Sequence, residues 1–241
     1  MVPPVAGFHV ETAGAGPRIV FVHGSVGTGA ITWGAQRDLA ERFTLVVLDR
    51  PGYPPNPPLV RIDFEEQARQ LGELLEPGDH LVAHSYGAVI AMLAADERLR
   101  SLTVNEPPAF GLARGSPPVE EFLAAMERAP REPRAYLQHF LPLVGVNLDV
   151  PERLSPAFEA ATRAAMVERP PHEAEIPLDR LHALPFAKLV VSGAHSAALD
   201  AVADVLESRL PARRAVLPGA GHNVQRAPGY NETLVAFLET A

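Results

Sequence analysis

The sequence predicts an α/β fold: a mostly parallel sheet flanked by helices and interrupted once by a helical insertion. Three observations carry this. Short apolar runs such as Ile19-Val20-Phe21-Val22 and Leu45-Val46-Val47-Leu48 are continuous rather than alternating, as expected of strands buried on both faces. They alternate with stretches of helical period, the pattern of right-handed βαβ units. The alternation breaks at Pro107 and resumes after Pro185, and the segment between is punctuated by proline and lacks a clear strand.

In order, Phe8 to Thr12 reads as an edge strand, closed by the turn Ala13-Gly14-Ala15-Gly16-Pro17. Arg18–Val22 is the first buried strand and ends in His23-Gly24-Ser25. Residues 30–42 have helical character, with Ile31, Trp33 and Leu39 expected inside. Phe43–Leu48 is the next strand, ending at Asp49-Arg50-Pro51-Gly52 ahead of a proline-rich loop. Residues 63–76 place Ala68, Leu71, Leu74 and Leu75 on one helical stripe. A strand over His80–Ala83 runs into Ser85 and a helix from Ala88, and Leu102–Glu106 follows as a strand. Within 107–185, helices are expected over Glu120–Glu127, Pro133–Leu141 and Pro156–Glu168. The core resumes with a strand at Lys188–Val191, a helix over 199–210, a strand at Arg214–Leu217 and a last helix over about 229–239. This gives one α/β core, residues 1–106 and 186–241, with residues 107–185 inserted.

Composition narrows the function. A chain of 241 residues with 47% hydrophobic content can bury one sizeable core. The net charge of −8 disfavours nucleic acid or an anionic membrane surface as a partner. With no cysteine, a disulfide framework, a thiolate metal site and a cysteine nucleophile are excluded. The start, MVPPVAGFHV, lacks the pattern of a signal peptide, and no apolar stretch approaches the ~18 residues of a membrane span, so a cytoplasmic location is expected. No Walker loop, dinucleotide fingerprint or HExxH spacing is present, so neither a cofactor nor a metal is expected.

The chemistry centres on Ala83-His84-Ser85-Tyr86-Gly87. A serine on so abrupt a strand-to-helix turn is held in a strained backbone that projects its hydroxyl over the sheet end. It also sits at a helix N-terminus, where free N–H groups favour developing negative charge. His222, in Pro218-Gly219-Ala220-Gly221-His222 after the last strand, is the candidate base. The backbone amides of Ser25 and Tyr86 are candidate donors for an oxyanion hole. His23 and His84 read as structural hydrogen-bonders.

Together HGSVG at 23–27, DRPGY at 49–53, AHSYG at 83–87 and PGAGH at 218–222 resemble the α/β-hydrolase fold family. The elbow departs slightly, with Ala83 where Gly is usual. The resemblance implies a mostly parallel eight-stranded sheet, with a helical cap (lid), residues 107–185, inserted after the sixth strand. It also implies Ser85 as nucleophile, His222 as general base and Asp49 as a loop brace. The family's usual acid, after the seventh strand, is replaced here by Ser196. Two carboxylates remain as candidates. Asp200 falls in the first turn of the next helix, where it also complements the dipole. Glu106 ends the strand after the elbow helix, the position from which dehalogenase-like and lactonase-like branches draw their acid, and is preferred. The expected activity is cofactor-independent hydrolysis of an apolar ester or lactone, with Phe122, Leu123, Met126, Tyr136, Phe140, Leu141, Leu143 and Val144 supplying an apolar wall. A non-hydrolytic receptor, a lyase and a cofactor-free oxygenase are the alternatives.

Overall fold

A computed structural model describes residues 7–241; residues 1–6 of the expected core lie outside the described residues. Its sheet has seven strands: β1 His9–Ala13, β2 Arg18–Val22, β3 Thr44–Asp49, β4 His80–His84, β5 Ser101–Asn105, β6 Ala187–Ser192 and β7 Ala212–Val216. Their spatial order is β1-β3-β2-β4-β5-β6-β7. β1 runs antiparallel to β3. Every other neighbouring pair is parallel.

The expected eighth strand is not among the described residues, and among them the insertion follows the fifth strand. The physical reason is that the described chain ahead of β2 holds one extended segment, closed immediately by the turn through Gly14 and Gly16.

The helices are α1 Gly29–Thr32, α2 Phe64–Leu74, α3 Tyr86–Ala94, α4 Pro117–Met126, α5 Pro133–Leu143, α6 Pro156–Ala165, α7 Leu178–Ala183, α8 Ala197–Arg209 and α9 Tyr230–Leu238. Strand alternation sorts the core into two layers. Val20, Val22, Val46, Leu81, Leu102 and Val190 pack with α2, α3 and α8. Ile19, Phe21, Leu45, Val82, Leu189 and Val191 pack with Trp33, Leu39 and α9 on the other face. Fully burying a side chain of this kind contributes about 1.5–3 kcal/mol, so the two layers dominate the fold's stability.

Local chemistry sets the helix ends. Asp63 accepts from the Glu65 N–H and caps α2, and Ser155 caps α6 by accepting from the Phe158 N–H. Proline occupies the first turn of α4, α5 and α6, where its missing N–H costs nothing. One expectation fails here: Ile31 is 58% exposed. The segment is a single α-turn followed by a 3₁₀ stretch over Gly34–Glu41, so a 3.6-residue phase does not carry through it. Trp33 is buried in the core, its ring 4.8 Å from that of Phe21. Among the described residues, no helix is long and apolar enough to cross a membrane.

Candidate active site

The parallel strands point their C-terminal ends to one side of the sheet, and the loops that leave those ends meet there. β4 delivers Ser85 in the positive-φ region, at φ 52° and ψ −127°. That conformation costs on the order of 1–3 kcal/mol and persists only because its surroundings hold it. The Ser85 N–H donates to the Asn105 carbonyl at 2.9 Å, and the Ser85 carbonyl accepts from the Ala88 N–H at 2.8 Å. Helix α3 then crosses the end of β2 so closely that a Cβ on Gly87 would lie 2.4 Å from the His23 carbonyl oxygen.

The β5 ladder continues one step past the strand, with the Glu106 N–H donating to Val191 at 2.9 Å. Glu106 also has a positive φ, 52°. Its carboxylate is aimed by the Gly193 N–H, which donates to Oε1 at 2.6 Å. The loop after β7 brings in His222. Its Nε2 lies 2.9 Å from Ser85 Oγ and its Nδ1 lies 3.4 Å from Glu106 Oε2. Its backbone is held as well: His84 Nε2 donates to the His222 carbonyl at 2.9 Å. Thus Ser85, His222 and Glu106, separated in sequence, are in line.

Electrostatics follow from burial. Ser85, His222 and Glu106 are all buried. Burial pushes His222 down to about 3, with the neighbouring His195 adding to the effect. Burial pushes Glu106 up to about 7, opposed by the Gly193 N–H and by His195. The imidazole is therefore neutral at ordinary pH. With its Nδ1–H directed at Glu106, its Nε2 lone pair faces the Ser85 hydroxyl.

The other acid candidate lies elsewhere. Asp200 is in the first turn of α8, with Oδ1 3.7 Å from Arg214 Nη2. Ser196 is the residue at the N-cap of α8.

Ser25 and Tyr86 border the same cavity as Ser85 and His222. Neither amide N–H has a hydrogen-bond acceptor among the described residues. Their side chains are tied down instead: Ser25 Oγ donates to Glu168 Oε2 at 2.5 Å, and the Tyr86 hydroxyl donates to the Arg169 carbonyl at 2.9 Å.

Sequence reasoning missed Glu168. It also accepts from Tyr53 and pairs with Arg50, which is fully buried with its guanidinium over the rings of Tyr53 and Tyr86. A charged residue directly after β3 and before proline was the available signal, because a buried guanidinium requires a carboxylate. His23 spends both ring nitrogens, donating from Nδ1 to Gly24 at 2.7 Å and accepting the Arg50 N–H at 3.0 Å. Burial holds it well below its ordinary value, so it remains neutral. Asp49 braces the Gly29 N–H at 2.7 Å.

The cavity over Ser85 has a volume of about 330 Å³. Of the expected wall residues, Phe122, Leu123, Met126, Tyr136, Phe140 and Val144 border it, joined from the core by Leu199. Leu141 does not; it packs with Leu137 and Val150 beneath α5. Leu143 does not border the cavity either, being partly exposed near the C-terminal end of that helix.

A family model described as the Alpha/beta hydrolase family matches residues 19–230. The pimeloyl-[acyl-carrier protein] methyl ester esterase of Methylococcus capsulatus is 35% identical over 89 residues, which is 37% of this chain and 35% of that protein. The matched stretch thus spans about a third of that relative. An alpha/beta hydrolase of Sphaerobacter thermophilus superposes with a TM-score of 0.66 at 25% identity, over 95% of each chain. Est816, described as an N-acyl homoserine lactone degrading enzyme, superposes with a TM-score of 0.72 at 24% identity, over 95% of this chain and 96% of that one. The last likeness speaks to the fold alone.

Proposed function

The chain belongs to the alpha/beta hydrolase family, and from that premise we propose that it is a serine hydrolase cleaving an apolar carboxylic ester or lactone through an acyl-enzyme. The observation that carries this is the 2.9 Å approach of His222 Nε2 to Ser85 Oγ, made at a strained elbow that opens into an apolar cavity.

Ser85 Oγ attacks the carbonyl carbon while His222 Nε2 takes its proton. Glu106 keeps the Nδ1–H tautomer in place and stabilises the imidazolium as it forms. The oxyanion accepts from the Ser25 and Tyr86 amides, each such donor contributing about 10²–10³ in rate. The intermediate collapses, and the leaving alkoxide receives the proton from His222; in a lactone the ring opens at this step. Water then attacks the acyl carbon, giving its proton to His222, and the acid departs as Ser85 recovers its own.

Helices α4 to α6 act in this reading as a cap whose apolar side chains select the substrate. A cavity of about 330 Å³ suits a small ligand. The methyl ester named for the Methylococcus capsulatus relative supports a carbonyl substrate of this class. Serine at the elbow opposes epoxide hydrolysis and dehalogenation, which need a carboxylate there. The net charge of −8 supports a small-molecule partner over nucleic acid or a membrane surface, and a cytoplasmic location is proposed with it. The test is Ser85→Ala on a panel of p-nitrophenyl esters and lactones of graded chain length. A loss of at least about 10³ in kcat/KM is expected, and unchanged turnover overturns the reading.

A further inference from the structure

His195 takes no part in the reaction above, yet its ring is fixed from two sides. Nε2 donates to the Val144 carbonyl at 3.1 Å, which sets the tautomer and leaves a lone pair on Nδ1. Gly145 presses on the ring, since a Cβ there would lie 2.2 Å from His195 Cδ2. The Nδ1 atom is buried and has no hydrogen-bond partner. It lies 3.6 Å from Glu106 Oε2, an ion pair when the ring is protonated and two facing electron-pair donors when it is neutral. His222 Nδ1 is 3.4 Å from the same oxygen, and the three atoms all lie within 4.8 Å of one another.

We propose that Glu106, His195 and His222 form an inhibitory binding site for a zinc-like divalent cation. Two ligands on a tetrahedral zinc ion, at bond lengths of about 2.0–2.2 Å, sit about 3.4 Å apart. Two of the three separations here already match that figure. The donor set, two imidazoles and one carboxylate, is one that zinc accepts. The outer contacts also suit a metal. A ligating histidine usually gives its other N–H to a carbonyl, as His195 does to Val144, and the carboxylate is oriented by the Gly193 N–H.

The consequence for catalysis rests on the hydrolase reading. A cation takes the Nδ1 lone pair of His222, and the ring proton moves from Nδ1 to Nε2 with the imidazole still neutral. Nε2–H then faces Ser85 as a donor and cannot accept the hydroxyl proton. The Glu106 charge is neutralised by the same ion. Cation binding therefore switches hydrolysis off without touching Ser85.

The test compares the whole wild-type chain with His195→Gln, using Zn²⁺ alone against a coloured competing chelator, alongside ester turnover. Wild type is expected to hold one more tight Zn²⁺ than the variant, or to hold it at least about tenfold more tightly. Zn²⁺ should inhibit wild-type turnover reversibly, with EDTA restoring it. The variant, active in metal-free buffer, should need at least about tenfold more Zn²⁺ for the same inhibition. Gly145→Ala, which displaces the His195 ring, provides a second variant with the same expected loss should His195→Gln not fold. Equal binding by wild type and variant overturns the site, and binding without inhibition overturns the switch. The binding arm needs no turnover, so a chain that hydrolyses nothing would count against the proposed function and leave this site to its own result.

Discussion

Replacing Glu106 by Gln separates its two roles, in catalysis and in stability. The carboxylate faces His222 Nδ1 at 3.4 Å and is 1% exposed, so solvent does little to compensate for its loss. A Gln amide removes the charge that steadies the imidazolium, and its NH₂ end favours the tautomer with the proton on Nε2. Loss of the orienting carboxylate in a serine triad costs about 10⁴ in kcat, so a fall of about 10³–10⁴ is expected for Glu106→Gln. Asp200→Asn, whose carboxylate faces Arg214, should change kcat little.

Stability should move the other way. Burial raises the Glu106 carboxyl from 4.5 to about 7 in the folded chain. Its contribution to stability is complete below pH 4.5 and is lost as pH rises through 7. Above that window, ionising a buried acid shifted this far costs the wild type about 3 kcal/mol that the variant does not incur. Melting curves from pH 4 to 9 should therefore show Glu106→Gln gaining on wild type between pH 4.5 and 7 and holding its gain above. A larger catalytic loss at Asp200, or a melting difference that shrinks with rising pH, would refute the reasoning.

Other outcomes follow from the same geometry. Because hydrolysis needs the Glu106 carboxylate, kcat/KM should rise with pH through about 7, while His222, held down to about 3, adds no limb in the neutral range. A pH–rate profile checks this, and the rise should vanish in Glu106→Gln. Gly87→Ala should destabilise the fold by roughly 1–3 kcal/mol or more, since its methyl would meet the His23 carbonyl at 2.4 Å; chemical denaturation reads it. Phe122→Ala and Met126→Ala, which remove cavity wall, should shift the preferred ester to longer chains, measured as kcat/KM across an acyl series.

The inner strands, and the residues at their ends, were legible because burial on both faces leaves short continuous apolar runs bounded by turn residues. Ser85 could be found because a strained elbow needs small neighbours, and Glu106 because it ends the strand that follows the elbow helix. What the sequence could not show was side-chain traffic between loops. His195 acquires its meaning from Val144, Gly145 and Glu106, which lie far from it in the chain, so no local spacing announces the group. Glu168 belongs to the insertion, and the isolated bridge to Ile62 that fixes its direction leaves no apolar run in the sequence to announce it. The seven-stranded count and the exposed Ile31 were hidden for a related reason. A family pattern does not report how many strands precede β2, and a 3.6-residue period cannot foresee a 3₁₀ turn.

The most direct measurement is labelling by a fluorophosphonate, followed by intact mass and peptide mapping of wild type and His222→Ala. One adduct per chain, on Ser85, formed far more slowly without His222, is the predicted result. An adduct elsewhere, or equal rates in the two proteins, would contradict the claim that His222 activates Ser85.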